Sequence, residues 1–305
     1  MSENPIVSLC IPTNGVCEWV FPVLKSIYQQ EVDIGLYEII ITDNGDNQEF
    51  KNRIKAYSVR HANIVYAETN VISFSNEIEA FKRARGRLIK FVNHRNLLIE
   101  GTLQRFVDMA RNYEEEKPII YFANGVLKLS KKQYEYGSFD QFVRNLSYWS
   151  SWSAGMTIWK EDFDKLAKDT VNFNKLFPHT DILFAERNRG KYIIDNTVVF
   201  DEIPQGKRPK GTYDLFGAFG IEYPQILHDL LRKGAISNET FRYVVDKNLE
   251  FIANLYWRYF VKKEYCSYDL DGLKKIFGVF YSRTGFTIKL IKHAGKVFAK
   301  KILKR

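Results

Sequence analysis

An α/β fold, a mostly parallel sheet covered by helices and followed by a helical C-terminal extension, is predicted by three observations. Apolar runs of strand length alternate with helix-length amphipathic segments through the first two thirds of the chain. The early runs end in small, amide or acidic residues, as buried strands do where they meet loops. Beyond "PQGKRPKGT" (Pro204–Thr212) the alternation stops and the pattern is helical. Such alternation implies parallel strands buried on both faces, with ligands beyond their carboxyl ends.

Taken in order, "IVSLCIPT" (Ile6–Thr13) is a buried strand closed by the turn signal Pro-Thr-Asn-Gly. "EWVFPVLKSIYQQ" places Val20, Leu24, Ile27 and Tyr28 at helical spacing. "YEIIITDNGD" is a second buried strand, ending in acid, amide and glycine. A helix through "EFKNRIKAY" leads to the short strand "NIVYAE". "SNEIEAFKRARG" is expected as a helix from a Ser-Asn cap, "RLIKFVN" as a strand and "LQRFVDMARNYEEE" as a helix. Further on, "PIIYFANGVLKL" is strand-like and "YWSSWSAGMTIWKEDF" is rich in aromatic and small residues. "TDILFAERNRG" is expected as a helix closed by Gly190, and "KYIIDNTVVFDEI" as the last strand. The basic linker sets an expected boundary between residues 1–205 and 206–305. The second region holds "PQILHDLLRKG", "NETFRYVVDKNLEFIANLYWRYFVKK" and a basic tail.

With 305 residues, 45% apolar and 15% aromatic, the chain can build a sizeable core, and disorder is excluded. Cys10, Cys17 and Cys266 form neither a disulfide framework nor a zinc spacing and suit a reducing cytosol. "MSENPIVSLCIPT" has no basic leader, and its apolar stretch is too short for a signal peptide. No apolar run approaches the ~20 residues of a spanning helix. Net charge is +9, and it is concentrated: the 34 residues from Gly272 to Arg305 hold eight Lys, two Arg and no acid. That segment contributes +10 and the remaining 271 residues −1. A nucleic-acid binder is disfavoured, because no strand alternates basic and aromatic residues.

Asp43 and Asn44 follow three isoleucines at a strand end. A carboxylate there can accept from a nucleobase imide or a ribose hydroxyl, and Asn offers donor and acceptor. A turn that favours Asp, Asn and Gly explains them equally. Thr13 and Asn14 carry the same two readings. Asp181, on the polar side of the apolar "FPHTDILF", is a candidate general base or, with Thr180, a helix N-cap. In "FVNHRNLLIEG", His94, Arg95 and Asn96 stand at a strand end. Arg95, a permanent cation, can face a diphosphate with His94 beside it; the alternative is an ordinary polar loop. Lys207 and Arg208, with Lys210, are a second anion site or a solvated loop. No glycine-rich phosphate loop follows the early strands and no nucleophile elbow appears, which argues against dinucleotide, P-loop and hydrolase readings.

In this order the segments resemble family 2 glycosyltransferases of bacterial surface-polysaccharide synthesis. "VSLCIPTNG" resembles their first strand, "SIYQQ" the end of their first helix and "YEIIITDNGDN" their second strand with its nucleotide-contacting Asp. "NEIEAFKRARGRLIKFVN" resembles the helix and strand before their metal motif, and "NLLIEGTLQRF" the stretch after it. The resemblance spans roughly Ile6 to Ile203. It implies a Rossmann-like sheet of the glycosyltransferase A type, a nucleotide-sugar donor (a UDP-sugar foremost), an inverting mechanism and a glycan or lipid-linked acceptor. It places Pro12, Thr13, Asn14, Asp43, Asn44, His94 and Asn96 around the nucleotide, and Asp181 as the catalytic base. The family's acidic metal motif falls on His94-Arg95-Asn96, with both ligand carboxylates gone. Hard cations want charged oxygens, so no cofactor is expected to be required, Mn²⁺ or Mg²⁺ being the alternative. Arg95, with Lys207 or Arg208, is then expected to offset charge on the leaving diphosphate. The competing function is a degenerate transferase fold that binds sugar nucleotides or glycans without catalysis.

The tail carries a last expectation. In "FTIKLIKHAGKVFAKKILKR", Phe286, Leu290, Ala294, Phe298 and Ile302 recur every four residues, with Ile291 and Val297 beside them. One apolar stripe with lysines on other faces suits either packing on the body or an anionic leaflet. The expectation is a cytoplasmic enzyme held peripherally on the inner membrane face by residues 287–305.

Overall fold

The structure, a computed structural model, describes residues 4–166, 172–204, 206 and 211–302, with side chains as far as Ala299. Lys207, Arg208 and Lys210 lie outside the described residues, as do the side chains of Lys300, Ile302 and Lys304. The chain divides into two compact units, Met1–Phe142 with Trp149–Pro204, and Val143–Tyr148 with Gln205–Arg305.

The first unit is built on a five-stranded sheet. Strands β1 (Val7–Thr13), β2 (Tyr37–Asp43), β3 (Ile64–Glu68) and β4 (Leu88–Phe91) alternate with helices α1 (Cys17–Tyr28), α2 (Gln48–Arg60) and α3 (Ser75–Arg83). After β4 come β5 (Asn96–Leu98), α4 (Thr102–Asn112), β6 (Ile119–Phe122), β7 (Gln133–Tyr136) and α5 (Phe139–Leu146), of which the part from Val143 counts with the second unit. Then follow β8 (Thr157–Trp159), α6 (Lys160–Leu166), α7 (Pro178–Leu183), β9 (Tyr192–Asp195) and β10 (Phe200–Glu202). The sheet order is β3-β2-β1-β4-β8, parallel except for β8, which runs against β4. β6-β9-β7 and β10-β5 form smaller sheets. Val7, Leu9, Cys10 and Ile11 of β1 and Ile39, Ile40 and Ile41 of β2 are fully buried, as covered parallel strands require. Each such Ile or Leu contributes ~1.5–3 kcal/mol by leaving water. Register pairs Thr13 with Asp43 and Asp43 with Glu68, so the strand ends form one row of polar residues.

Four local expectations change. Helix α3 begins without a Ser-Asn cap: its N-cap is Phe74, and the Asn76 amide instead donates to Thr13 O (3.2 Å) and Thr42 O (2.8 Å). The helix expected as far as Gly190 stops at Leu183; in the turns beyond it Tyr192 OH donates to Arg187 O and Arg189 pairs with Asp162. "PIIYFANGVLKL" is extended only over Ile119–Phe122, and Asn124 takes a left-handed φ of 51°. "KYIIDNTVVFDEI" splits into β9 and β10, because the Asp195 carboxylate accepts from Thr197 N (2.8 Å) and Asn196 donates to Leu127 O (2.8 Å). An Asx turn with a side-chain tether breaks the run between two sheets.

The second unit is helical. It contains α8 (Leu215–Gly217), α9 (Tyr223–Arg232), α10 (Asn238–Tyr256) and α11 (Arg283–Ile302). A cluster including Phe216, Leu249, Ile252, Ile276 and Phe286 forms its core. No helix among the described residues is long and apolar enough to cross a membrane. The tail stripe expected from the sequence mixes two faces of α11. Phe286 is buried and Leu290 packs on the core, while Lys289 pairs with Asp246 (2.6 Å) and Glu250 (3.0 Å) of α10. Phe298 instead shares an outward face with Ile288 and Ile291, and these three are 63%, 47% and 65% exposed. The reason is the pitch: steps of four residues drift about 40° each, so the series winds from one face to the next.

Candidate active site

Gly45 brings the β1 and β2 loops together. A Cβ at Gly45 would lie 2.1 Å from Asn14 O, so only glycine admits this approach. Across it Asn44 N donates to Thr13 O at 3.1 Å. The Asn44 amide donates to Val71 O at 3.1 Å, Asn14 is exposed, and Pro12 is half-buried inside β1.

Asp43 is 1% exposed. Its carboxylate accepts from Gly45 N (2.9 Å) and Tyr66 OH (3.2 Å). Burial pushes the Asp43 carboxyl up, against the pull of the Gly45 amide, the Tyr66 hydroxyl and Lys51. Beyond β2 and β3 opens a cleft of about 440 Å³, lined among others by Asn44, Gly45, Lys51, Glu68, Thr69 and Ser73. Its size and polar rim suit a small ligand such as a nucleoside.

On the other side of Thr13 stands the 93–96 cluster. Thr13 Oγ1 lies 2.9 Å from His94 Nδ1 and accepts from Gly15 N at 3.1 Å. The Gly15 amide takes one lone pair of that hydroxyl, and the imidazole shares a hydrogen bond with the same group. Burial, then the Arg95 charge, push the His94 pKa down to about 4, so the ring is neutral near pH 7. His94 therefore adds hydrogen bonding to this corner but no charge. Arg95 is buried, pairs with Glu202 of β10 and lies 5.4 Å over the Trp19 ring, which also meets His94 at 5.0 Å. Asn96 is buried in β5, and its Nδ2 has no hydrogen-bond partner among the described residues. An unmatched buried donor costs ~1–3 kcal/mol, an incentive to donate to a ligand oxygen or water.

Asp181 sits in α7, half-buried, its carboxylate accepting from Asn174 N at 2.6 Å. Thr180 does not act as a cap: its hydroxyl donates to Ser150 O at 3.0 Å. Thus Thr13, Asp43 and His94 stand together at the strand ends, with Arg95 and Asn96 adjoining His94. Sequence reasoning missed Trp19, Tyr66 and Glu202. Trp19 stood on a helix whose apolar face was recognised, but Tyr66 and Glu202 gave no local signal.

The donor set at the motif does not fit a hard divalent cation. The side chains of His94, Arg95 and Asn96 offer no charged oxygen, and among the described residues no three His, Cys, Asp or Glu gather as a metal site.

Residues 8–184 match the family model described as glycosyl transferase family 2. The chain belongs to that family. It is a glycosyltransferase, and the matched span takes in Thr13, Asp43, the 93–96 cluster and Asp181. No curated protein compared with it matches significantly. Among solved structures, the transferase is similar to S. aureus TarS 1–349 in complex with UDP-GlcNAc, with a TM-score of 0.58 at 13% identity over 90% of this chain and 80% of that one. The complex of TarS 1–349 with UDP gives 0.53 at 14% identity, over 84% and 72%. The mannosyltransferase PcManGT from Pyrobaculum calidifontis, in complex with GDP-Man and Mn²⁺, gives 0.50 at 13% identity, over 96% and 87%. At such identities the likeness establishes the fold, which is the glycosyltransferase A type.

Proposed function

We propose that this transferase moves a sugar, with inversion, from a nucleotide-sugar donor to a glycan or lipid-linked acceptor of bacterial surface-polysaccharide synthesis, and that it needs no divalent metal. The observation that carries the reading is the strand-end cluster of Thr13, Asp43 and His94, with Arg95 beside it, inside the span matched to the family. A UDP-sugar is the first donor to test, since the TarS complexes hold UDP and UDP-GlcNAc.

In this reading the cleft by Asn44 and Thr69 takes the nucleoside, with Asp43 beneath it. Asp181 removes the proton of the acceptor hydroxyl. The oxygen attacks the anomeric carbon from the face opposite the diphosphate, the carbon–oxygen bond to the diphosphate breaks, and the configuration inverts. Arg95, fixed on Trp19, offsets the charge left on the diphosphate, a task that a preorganised cation performs well in a closed site. Lys207 and Arg208 are further candidates for that charge.

The enzyme works on an anionic inner leaflet. Ile288, Ile291 and Phe298 supply exposed apolar contacts, and the acid-free tail supplies charge, each Lys near such a surface adding about 1 kcal/mol.

Donor turnover, measured with UDP-sugars and GDP-sugars in chelator and again with Mn²⁺, tests the reading. Turnover in chelator supports it. Turnover only with Mn²⁺ overturns metal independence. Binding without turnover for every donor and acceptor identifies the degenerate binding protein instead.

A further inference from the structure

We propose that Glu77 and His179 form a positioning pair, which locks the helix carrying Asp181 to the strand ends that receive the nucleotide. The inference rests on Asp181 being the general base.

Both residues are 3% exposed. His179 Nδ1 lies 3.1 Å from Glu77 Oε2, and Nε2 lies 3.0 Å from Ser151 O. An ionised carboxylate and a carbonyl only accept, so a ring that satisfies both carries both hydrogens and is an imidazolium. Phe74 and Phe177 meet the ring edge-on at 6.5 and 6.0 Å. The acidic groups facing it are Glu77 of α3 and Asp181 of its own helix. Burial alone would push its pKa down; Glu77, the Ser151 carbonyl and Asp181 more than offset this and hold it above the ordinary histidine value.

A buried ion pair is a poor source of stability, because removing two charges from water costs about as much as their attraction returns. Its strength is geometry. Helix α7 has six residues, too few to hold itself in place. His179 ties it to α3, and Thr180 ties it to Ser150 O at 3.0 Å. On α3 the residue before Glu77 is Asn76, whose amide grips the ends of β1 and β2 through Thr13 O and Thr42 O. Two consecutive residues thus hold the nucleotide end with one side chain and the base helix with the next. A base displaced by 1 Å can lose about a hundredfold in rate.

The test compares the full-length wild type with E77Q, H179Q and D181N. By NMR the His179 ring should titrate above the ordinary histidine range, and E77Q should move it down. E77Q and H179Q should lower kcat by about tenfold to a hundredfold, with donor affinity by calorimetry within twofold. Because the folded-state pKa of His179 is raised, the imidazolium that donates to Glu77 is kept below that value and lost as pH rises through it. Wild-type kcat should therefore fall on that alkaline limb, and H179Q should lack the limb. Thermal melts identify the variants that are folded at assay temperature; should E77Q not fold, H179Q, which keeps an amide donor, carries the test. Wild-type kcat and an unchanged limb in folded variants, with D181N inactive, overturn the positioning role and leave the base intact. Wild-type turnover in D181N overturns the base assignment and this proposal with it.

Discussion

At the strand ends, Arg95 is buried against Glu202 and Trp19, and the neighbouring imidazole of His94 is neutral. Along α11, by contrast, Lys292 and Lys296 stand exposed beside Ile291 and Phe298, in a segment without a single acid. One region spends few charges and fixes each of them, as selection of a small charged ligand requires. The other carries many charges that are individually weak and screened by salt.

The comparison breaks most sharply at Asp181. Asp181→Asn should lower kcat by ~10²–10⁴, the usual worth of a general base, with donor affinity within a few-fold. Calorimetry beside a turnover assay checks both, and wild-type turnover would reject the assignment.

On the diffuse side, the outward face of α11 can be emptied without touching its packed one. Ile288→Ser, Ile291→Ser and Phe298→Ser together should abolish sedimentation with anionic vesicles, while nucleotide binding is unchanged. Raised salt should weaken wild-type sedimentation, and equal sedimentation by the triple variant would sink the membrane reading.

His94 sharpens the electrostatic half. Its folded pKa of about 4 lies below the ordinary 6.5, so the unfolded chain binds more protons between those values. Stability should therefore drop as pH falls from 6.5 towards 4, by at most ~3 kcal/mol from this residue. Denaturant midpoints across that window should flatten in His94→Gln. An unchanged slope would mean that another group governs the acid limb.

The smallest effect is expected at Asp43. Asp43→Ala should weaken nucleotide binding by ~1–3 kcal/mol, since a buried acceptor is lost. Unchanged affinity would leave Asp43 as the anchor of Gly45 and Tyr66 alone.

The strands β1, β2 and β4 were legible because a parallel strand covered on both faces has to be apolar almost throughout, as "VSLCI" and "EIII" are. Position along the chain also revealed that Thr13, Asp43 and His94 stand at strand ends. What the sequence by itself determined was therefore periodic or local: the sheet, the residues at its rim and the cationic tail. Tertiary structure decided which partners those residues meet. Glu202 reaches Arg95 across more than a hundred residues, Glu77 reaches His179 in the same way, and the amide expected to cap α3 tethers two strands instead. It also decided which face of α11 is spent on packing. Strand and helix patterns arise from neighbours a few residues apart, so a sequence displays them directly. Charge pairs and faces depend on distances that exist only after folding, and burial then sets which groups keep their protons.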